Sequence, residues 1–417
     1  MKIKLICFLL TLLIIVNIAS CSIGSGSVDL MKGIVANASG ITDVTDDFVK
    51  EHYKYAHLLT QIIAQNEKGK NILISPLSIQ IALTMAASGA EGETKAELEK
   101  LLSAIHSIED TSSNLQSVLN TLKNKKECKF KVGNSIWIRD DKERLTVDKD
   151  FLQKSKDYFN ADAYKSAFDQ STVKDMNSWA SRQTDGMIDK ITDEIDSDAV
   201  LFILNAIMFD GKWEKEYKVS QVSDGIFNAY DKREQVVSMM SSSENEYIET
   251  QTFTGFTKYY KGKEFSFSAI LPKDENEDIY QFAKDLSANE LWEAVNNAPR
   301  QDVRVVMPKF SYQYDIRLND SLKALGINYA FDEDKADFSS LAKSTKGNIF
   351  IKDILHKTFI EVDEKGTKAA AITKIEFADK ASPVEPEKSV ILDRPFIYII
   401  RDTKTNLPIF IGLVANI

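Results

Sequence analysis

Ser75, Ser78 and His356 are of the types that make a nucleophile and its base, and acyl transfer would be their chemistry. Their surroundings do not support it. No Gly-x-Ser-x-Gly elbow occurs in the 417 residues, and Ser75 directly precedes Pro76, as a helix N-cap precedes a proline at the first helical position. The four histidines, His52, His57, His106 and His356, show no metal-ligand spacing, and there is no phosphate-binding loop. The sequence therefore predicts no enzyme, no cofactor and no metal. A different capacity lies in the segment from Glu364 to Thr373. From Thr367 onward one face carries Thr367, Ala369, Ala371, Thr373, Ile375 and Phe377, and the other Lys368, Ala370, Ile372, Lys374, Glu376 and Ala378. Small or β-compatible side chains at alternate positions can slide between two strands of an existing sheet; a helix start or an ordinary edge strand is the plainer reading of the same residues. No proline occurs between Lys365 and Ser382, so each residue keeps the N–H that a central strand must donate.

The elements that would position such a strand are legible along the chain. Phe48 to Gln65 has apolar residues at helical spacing, and a helix opened by Ser75 and Pro76 runs through Ile79, Ala82, Leu83 and Ala86. Thr94-Lys95-Ala96-Glu97 has the pattern of a capping box opening the next helix. Val200 to Phe209 is too apolar to have a solvent face and predicts a central strand covered on both sides. Phe265 to Leu271 alternates as a half-buried strand, Val303 to Met307 follows, and Pro395–Ile400 and Ile409–Val414 flank a turn at Asp402–Asn406. Helices first and antiparallel-type strands later predict an α+β fold, and the lack of any Pro- or Gly-rich break makes residues 46–417 one domain.

The bulk numbers bound the partners. Hydrophobic residues make up 43% and charged residues 27%, enough for a large core. The formal net charge of −10, with no basic run of five or more, argues against nucleic acid and against a polybasic membrane dock. Lys2 and Lys4 followed by the apolar run Leu5–Ile18 predict an export signal over 1–21. Its end, Ile18-Ala19-Ser20-Cys21, resembles a bacterial lipobox, which would make Cys21 a lipid anchor at the cell envelope and the only link to a membrane; a plain secretory cleavage and an uncleaved anchor are the alternatives. Residues 22–45 read as a Ser-, Gly- and Ala-rich tether. Cys128 is then the lone thiol of the folded part, so stability must come from the core rather than from disulfides.

Separated motifs resemble the serpins, the suicide inhibitors of proteases, over roughly 370 residues. They are Asn71–Ile79; Gly89–Thr94; Asn177, Trp179, Thr184 and Gly186; Asn205–Trp213; Val237–Met240; Met307–Phe310; Ala336–Ser339; His356-Lys357; the segment from Glu364; and Asp393–Phe396. The resemblance implies three β-sheets, about nine helices and an exposed reactive-centre loop over about 364–392. It implies a monomer whose partner is a target protease, held as a covalent acyl complex while the cut loop inserts into the main sheet. The inserting hinge would include Glu364, Gly366, Thr367, Ala369, Ala370 and Ala371. Ser75, Ser78, Asn205 and His356 would form the polar shutter beneath the sheet's opening point. Trp213 and Lys309 would mark the breach where insertion begins, with Lys309 pairing to Glu364. About fourteen positions after Gly366 the resemblance puts the reactive bond at Lys380–Ala381, bait for trypsin-like serine proteases. Two departures loosen that position. The loop is about four residues longer on its C-terminal side, and Asp379 falls on the inward parity, where a carboxylate is unwelcome, so cleavage as far as Val384 stays open. Alternatives are an inhibitor of papain-like cysteine proteases and a non-inhibitory serpin acting as a binding protein. The latter tends to carry bulky or charged residues or proline on the inserting face.

Overall fold

The computed structural model describes residues 26–37, 43–103, 105–141, 145–196, 199–345, 347–367 and 388–417. Among them are nine α-helices: α1 (Asp46–Asn66), α2 (Pro76–Ala87), α3 (Gly92–Leu102), α4 (Ile108–Lys123), α5 (Lys149–Phe159), α6 (Gln170–Gln183), α7 (Ile279–Asp285), α8 (Ala288–Asn296) and α9 (Asn319–Ala324). One sheet has seven strands in the order β1 (Val28–Asp29), β5 (Asp162–Ser166), β3 (Cys128–Arg139), β6 (Leu201–Lys212), β15 (Gly366–Thr367), β14 (Asp353–Val362) and β12 (Phe310–Arg317). Two further sheets share the long strand β8 (Glu234–Glu249). One runs β7 (Val222–Asn228), β8, β11 (Arg300–Pro308), β16 (Lys388–Ile391). The other runs β8, β9 (Phe253–Tyr259), β10 (Phe265–Pro272), β17 (Phe396–Asp402), β18 (Pro408–Val414), β2 (Ile72–Ile74). A short ladder joins β4 (Leu145–Val147) to β13 (Ala342–Ser344). This is the α+β arrangement of three sheets and nine helices expected from the resemblance.

Strand β6 is covered on both faces, as its uninterrupted apolar run requires. Leu201, Ile203, Ile207 and Phe209 enter the main core, while Phe202, Leu204 and Ala206 join a second core with Trp137, Met176 and Trp179 on the opposite face. Helix α2 begins where the sequence put it: Ser75 is the N-cap, its Oγ accepts from the Ser78 N–H at 3.3 Å, and Pro76 opens the helix.

Three expectations shift. Helix α3 starts at Gly92 rather than at a Thr94 cap, because the buried Thr94 hydroxyl accepts from the Asp337 N–H at 2.9 Å and is drawn to another segment. Strand β10, expected to be half buried, is buried at every position. Its serines find partners inside: Ser268 Oγ lies 2.9 Å from Thr257 Oγ1, and Arg401 donates to Ser266 Oγ at 3.1 Å. Alternation with serine therefore did not mean a wet face. Part of the predicted tether is also docked. Val28 and Asp29 pair with Lys165 and Tyr164, the Leu30 N–H donates to the Ala163 carbonyl at 2.9 Å, and Met31 is buried.

Candidate functional site

The seam between β6 and β14 changes character along its length. At its lower end the two strands pair directly and in parallel, from Phe202 with Asp353 to Ala206 with Lys357. Among the described residues that pairing stops there. At the upper end Gly366 and Thr367 lie between them, antiparallel to both: Gly366 opposite Lys212, and Thr367 opposite Gly211 and Val362. The sheet is closed below and wedged at the mouth.

The mouth is built by a turn held on every side. The Asp363 carboxylate accepts from the N–H groups of Lys365 (2.8 Å) and Gly366 (3.0 Å). Trp213 donates its indole N–H to the Asp363 carbonyl at 2.9 Å and its backbone N–H to the Lys365 carbonyl at 2.8 Å. The Tyr217 N–H donates to the Glu364 carbonyl at 2.8 Å, so three successive hinge carbonyls are satisfied. Lys309 Nζ lies 2.5 Å from Glu364 Oε2, the pair expected from the sequence. Burial works against the charge on Glu364, but the Lys309 hydrogen bond, a backbone hydrogen bond and the charges of Lys309 and Lys365 together outweigh it and hold the carboxyl below its ordinary range. Thr367 is buried and its hydroxyl sits 2.6 Å from that of Tyr260, which stacks on Trp213. Gly366 must be glycine: a Cβ there would stand 2.1 Å from the Gly211 carbonyl oxygen.

Ser75, Ser78, Asn205 and His356, the four residues expected to form the shutter, converge beneath the closed part of the seam. Asn205 and His356 are directly opposite each other on β6 and β14. Ser78 Oγ donates to Asn205 Oδ1, and Asn205 donates to Asn134 Oδ1 at 2.7 Å. The Ser75 backbone N–H donates to His356 Nε2 at 3.1 Å, while Ser75 Oγ donates to the Ile409 carbonyl at 2.7 Å. The serine hydroxyl thus points away from the imidazole. Burial pushes the His356 ring down to about 3, so it is neutral and accepts at Nε2. No nucleophile–base pair exists here. Nδ1 then carries the ring proton, and among the described residues it has no hydrogen-bond partner.

Ala369, Ala370, Ala371, Lys380, Ala381 and Cys21 lie outside the described residues. Residues missed in the sequence are Asn134, Tyr217 and Tyr260. Asn134 carried a signal, an amide inside the strand-like run Val132–Ile138; the two tyrosines carried none, since their roles come from segments distant in sequence. Cys128 is buried and free, with burial and nearby carboxylates raising its thiol to about 12, so it is inert. Among the described residues no grouping of three or more His, Cys, Asp or Glu could hold a metal ion.

Comparison with known proteins agrees with this geometry. A family model described as serpin (serine protease inhibitor) matches residues 51–417. Leukocyte elastase inhibitor A of Mus musculus is 30% identical over 377 residues, 87% of this chain and 97% of that protein. The crystal structure of the thermophilic serpin tengpin in its native state superposes with a TM-score of 0.88 at 42% identity, covering 94% of this chain and 100% of that one. The same protein in its latent state gives 0.79 at 39% identity, covering 91% and 100%.

Proposed function

This chain belongs to the serpin family, and from that premise we propose that it is a suicide inhibitor of serine endopeptidases, trypsin-like ones first. The protease's serine attacks the Lys380 carbonyl, the Lys380–Ala381 bond breaks, and an ester links Lys380 to the protease while Ala381 gains a free amino group. The freed strand then enters the sheet from the hinge and carries the acylated protease with it. Inhibition is a race between insertion and hydrolysis of the ester.

One observation carries this reading: Gly366 and Thr367 are already paired on both sides of the mouth. Continued in the same register, Ala369 falls opposite Phe209, Ala371 opposite Ile207, and Thr373 between Asn205 and His356. All share the inward face of Thr367, where small side chains fit. The Thr373 hydroxyl would arrive as an acceptor for the His356 Nδ1 proton. Insertion must first part Phe202–Ala206 from Asp353–Lys357, and in return adds about ten or more ladder hydrogen bonds at ~1 kcal/mol each. From Thr367 to Phe377 the strand spans about 33 Å at ~3.3 Å per residue, enough to move the protease far along the sheet.

The decisive experiment mixes residues 26–417 with trypsin. The expected results are a complex that survives denaturing electrophoresis, a released peptide beginning at Ala381, and a large rise in melting temperature of the loop-cleaved form. Cleavage with neither complex nor rise would falsify the inhibitory reading. Export and lipid attachment at Cys21 belong to the same proposal, supported by Lys2, Lys4 and the apolar run to Ile18. Replacing Cys21 by Ser should release the protein from the membrane fraction.

A further inference from the structure

Strand β9 places a lysine where its pattern calls for an apolar residue. Phe256, Lys258 and Tyr260 share one inward parity, and all three are buried, Lys258 at 2% exposure. Its Nζ lies 2.6 Å from Glu244 Oε1 on β8. The same ammonium stands 4.5 Å from the centre of the Tyr217 ring and 5.5 Å from that of Trp213, within cation–π range of both. Ser242 Oγ completes the cluster, 2.7 Å from Glu244 Oε1 and 3.3 Å from the Tyr217 hydroxyl. A buried ion pair is weak support for stability, since an apolar side chain of the same length would pack here without desolvating two charges. Its use must lie in what it holds in place. The two rings that face Lys258 belong to the two residues whose N–H groups satisfy the Asp363, Glu364 and Lys365 carbonyls. Trp213 also stacks on Tyr260, whose hydroxyl meets Thr367.

We infer that Lys258 is a positioning residue for the hinge: gripped by Glu244 and faced by both rings, it fixes Trp213 and Tyr217 where they hold Gly366 and Thr367 in inserting register before the loop is cut. The first rung of the new strand is thereby made in advance. Without the ammonium the segment from Trp213 to Tyr217 loosens, insertion starts later, and the ester is hydrolysed more often before the protease is carried off. The kinetic consequence rests on the trapping reading above; the structural one does not.

Lys258→Met keeps the length and removes the charge, and Lys258→Arg keeps the charge. Two readouts are taken: hydrogen exchange at the Trp213 and Tyr217 amides of the uncleaved protein, and the number of inhibitor molecules consumed per trypsin trapped. In Lys258→Met both amides should exchange about tenfold faster while α1 is unchanged, and consumption should rise several-fold. Lys258→Arg should stay near the parent on both. Should Lys258→Met fail to fold, Glu244→Gln is read in the same way. Parent-like exchange at both amides in a folded variant overturns the inference. A parent protein that traps no protease sinks the trapping reading instead and leaves the exchange result to judge Lys258.

Discussion

The lower and upper halves of the β6–β14 seam belong to the same two strands yet are held together differently. Below, direct pairing is backed on the outer face by the Trp137 and Trp179 core and on the inner face by the Ser78–Asn205–Asn134 chain and His356. Above, polar residues enter the outward positions, with Asp210 and Lys212 on β6 and Glu361 on β14, and a two-residue wedge replaces the pairing. At Asn205 and His356, within these apolar surroundings, the closed half is also stitched by side-chain hydrogen bonds, which can be exchanged for others. On the proposed mechanism, the wedged upper end is the one from which a strand would be admitted.

Overloading the wedge should give the largest effect. Thr367→Arg buries an unpaired charge at the mouth, which costs several kcal/mol. The covalent yield with trypsin, by gel densitometry, should fall at least about 100-fold while loop cleavage persists, as the driving force for insertion is lost. A parent-like yield would mean that insertion does not begin at Thr367.

Cutting the stitches comes next. Asn205→Ala strands the Ser78 hydroxyl and the Asn134 amide, and should lower unfolding stability in urea by about 2–3 kcal/mol. The His356 ring offers a reversible version of the same test. Its folded pKa of about 3 lies below the unfolded value of about 6.5, so the unfolded chain binds the extra proton first. Its contribution is therefore whole above about pH 6.5 and declines as pH falls toward 3, by up to ~1.4 kcal/mol per unit. Urea melts between pH 7 and 4.5 should show a steeper loss for the parent than for His356→Gln; equal slopes would remove His356 as the cause.

Two substitutions at the mouth should act more weakly. Gly366→Ala places a Cβ 2.7 Å from Lys212 Cα as well as against the Gly211 carbonyl, so the hinge must shift, at about 1–3 kcal/mol. Faster exchange over 365–367 would report that shift, and protection as in the parent would deny it. Glu364→Ala breaks an ion pair whose side chains are each one-third exposed, and solvent screening limits the loss to ~0–1 kcal/mol. A double-mutant cycle with Lys309→Ala measures it, and a coupling well above that range would make the pair a true lock.

Much of the site was legible because local rules sufficed. The Ser75–Pro76 cap, the doubly covered strand through Asn205 and the small-residue alternation from Thr367 are each written in consecutive residues. The serines of β10 misled for a physical reason: a hydroxyl reads as solvent-facing until its partner is known, and Thr257 and Arg401 lie on neighbouring strands. Thr94 misled likewise, because its partner is Asp337, far along the chain.

By itself the sequence determined the α+β class, the Ser75 cap, the doubly covered strand and the small-residue alternation from Thr367, since these follow from periodicity, caps and side-chain size. Only the tertiary structure decided that Ser75 bonds Ile409 rather than serving His356, that Lys258 lies under Trp213 and Tyr217, and that Gly366 and Thr367 already occupy the mouth. Each of these depends on which distant segments meet. That is fixed by strand order and register, and no local pattern of residues encodes them.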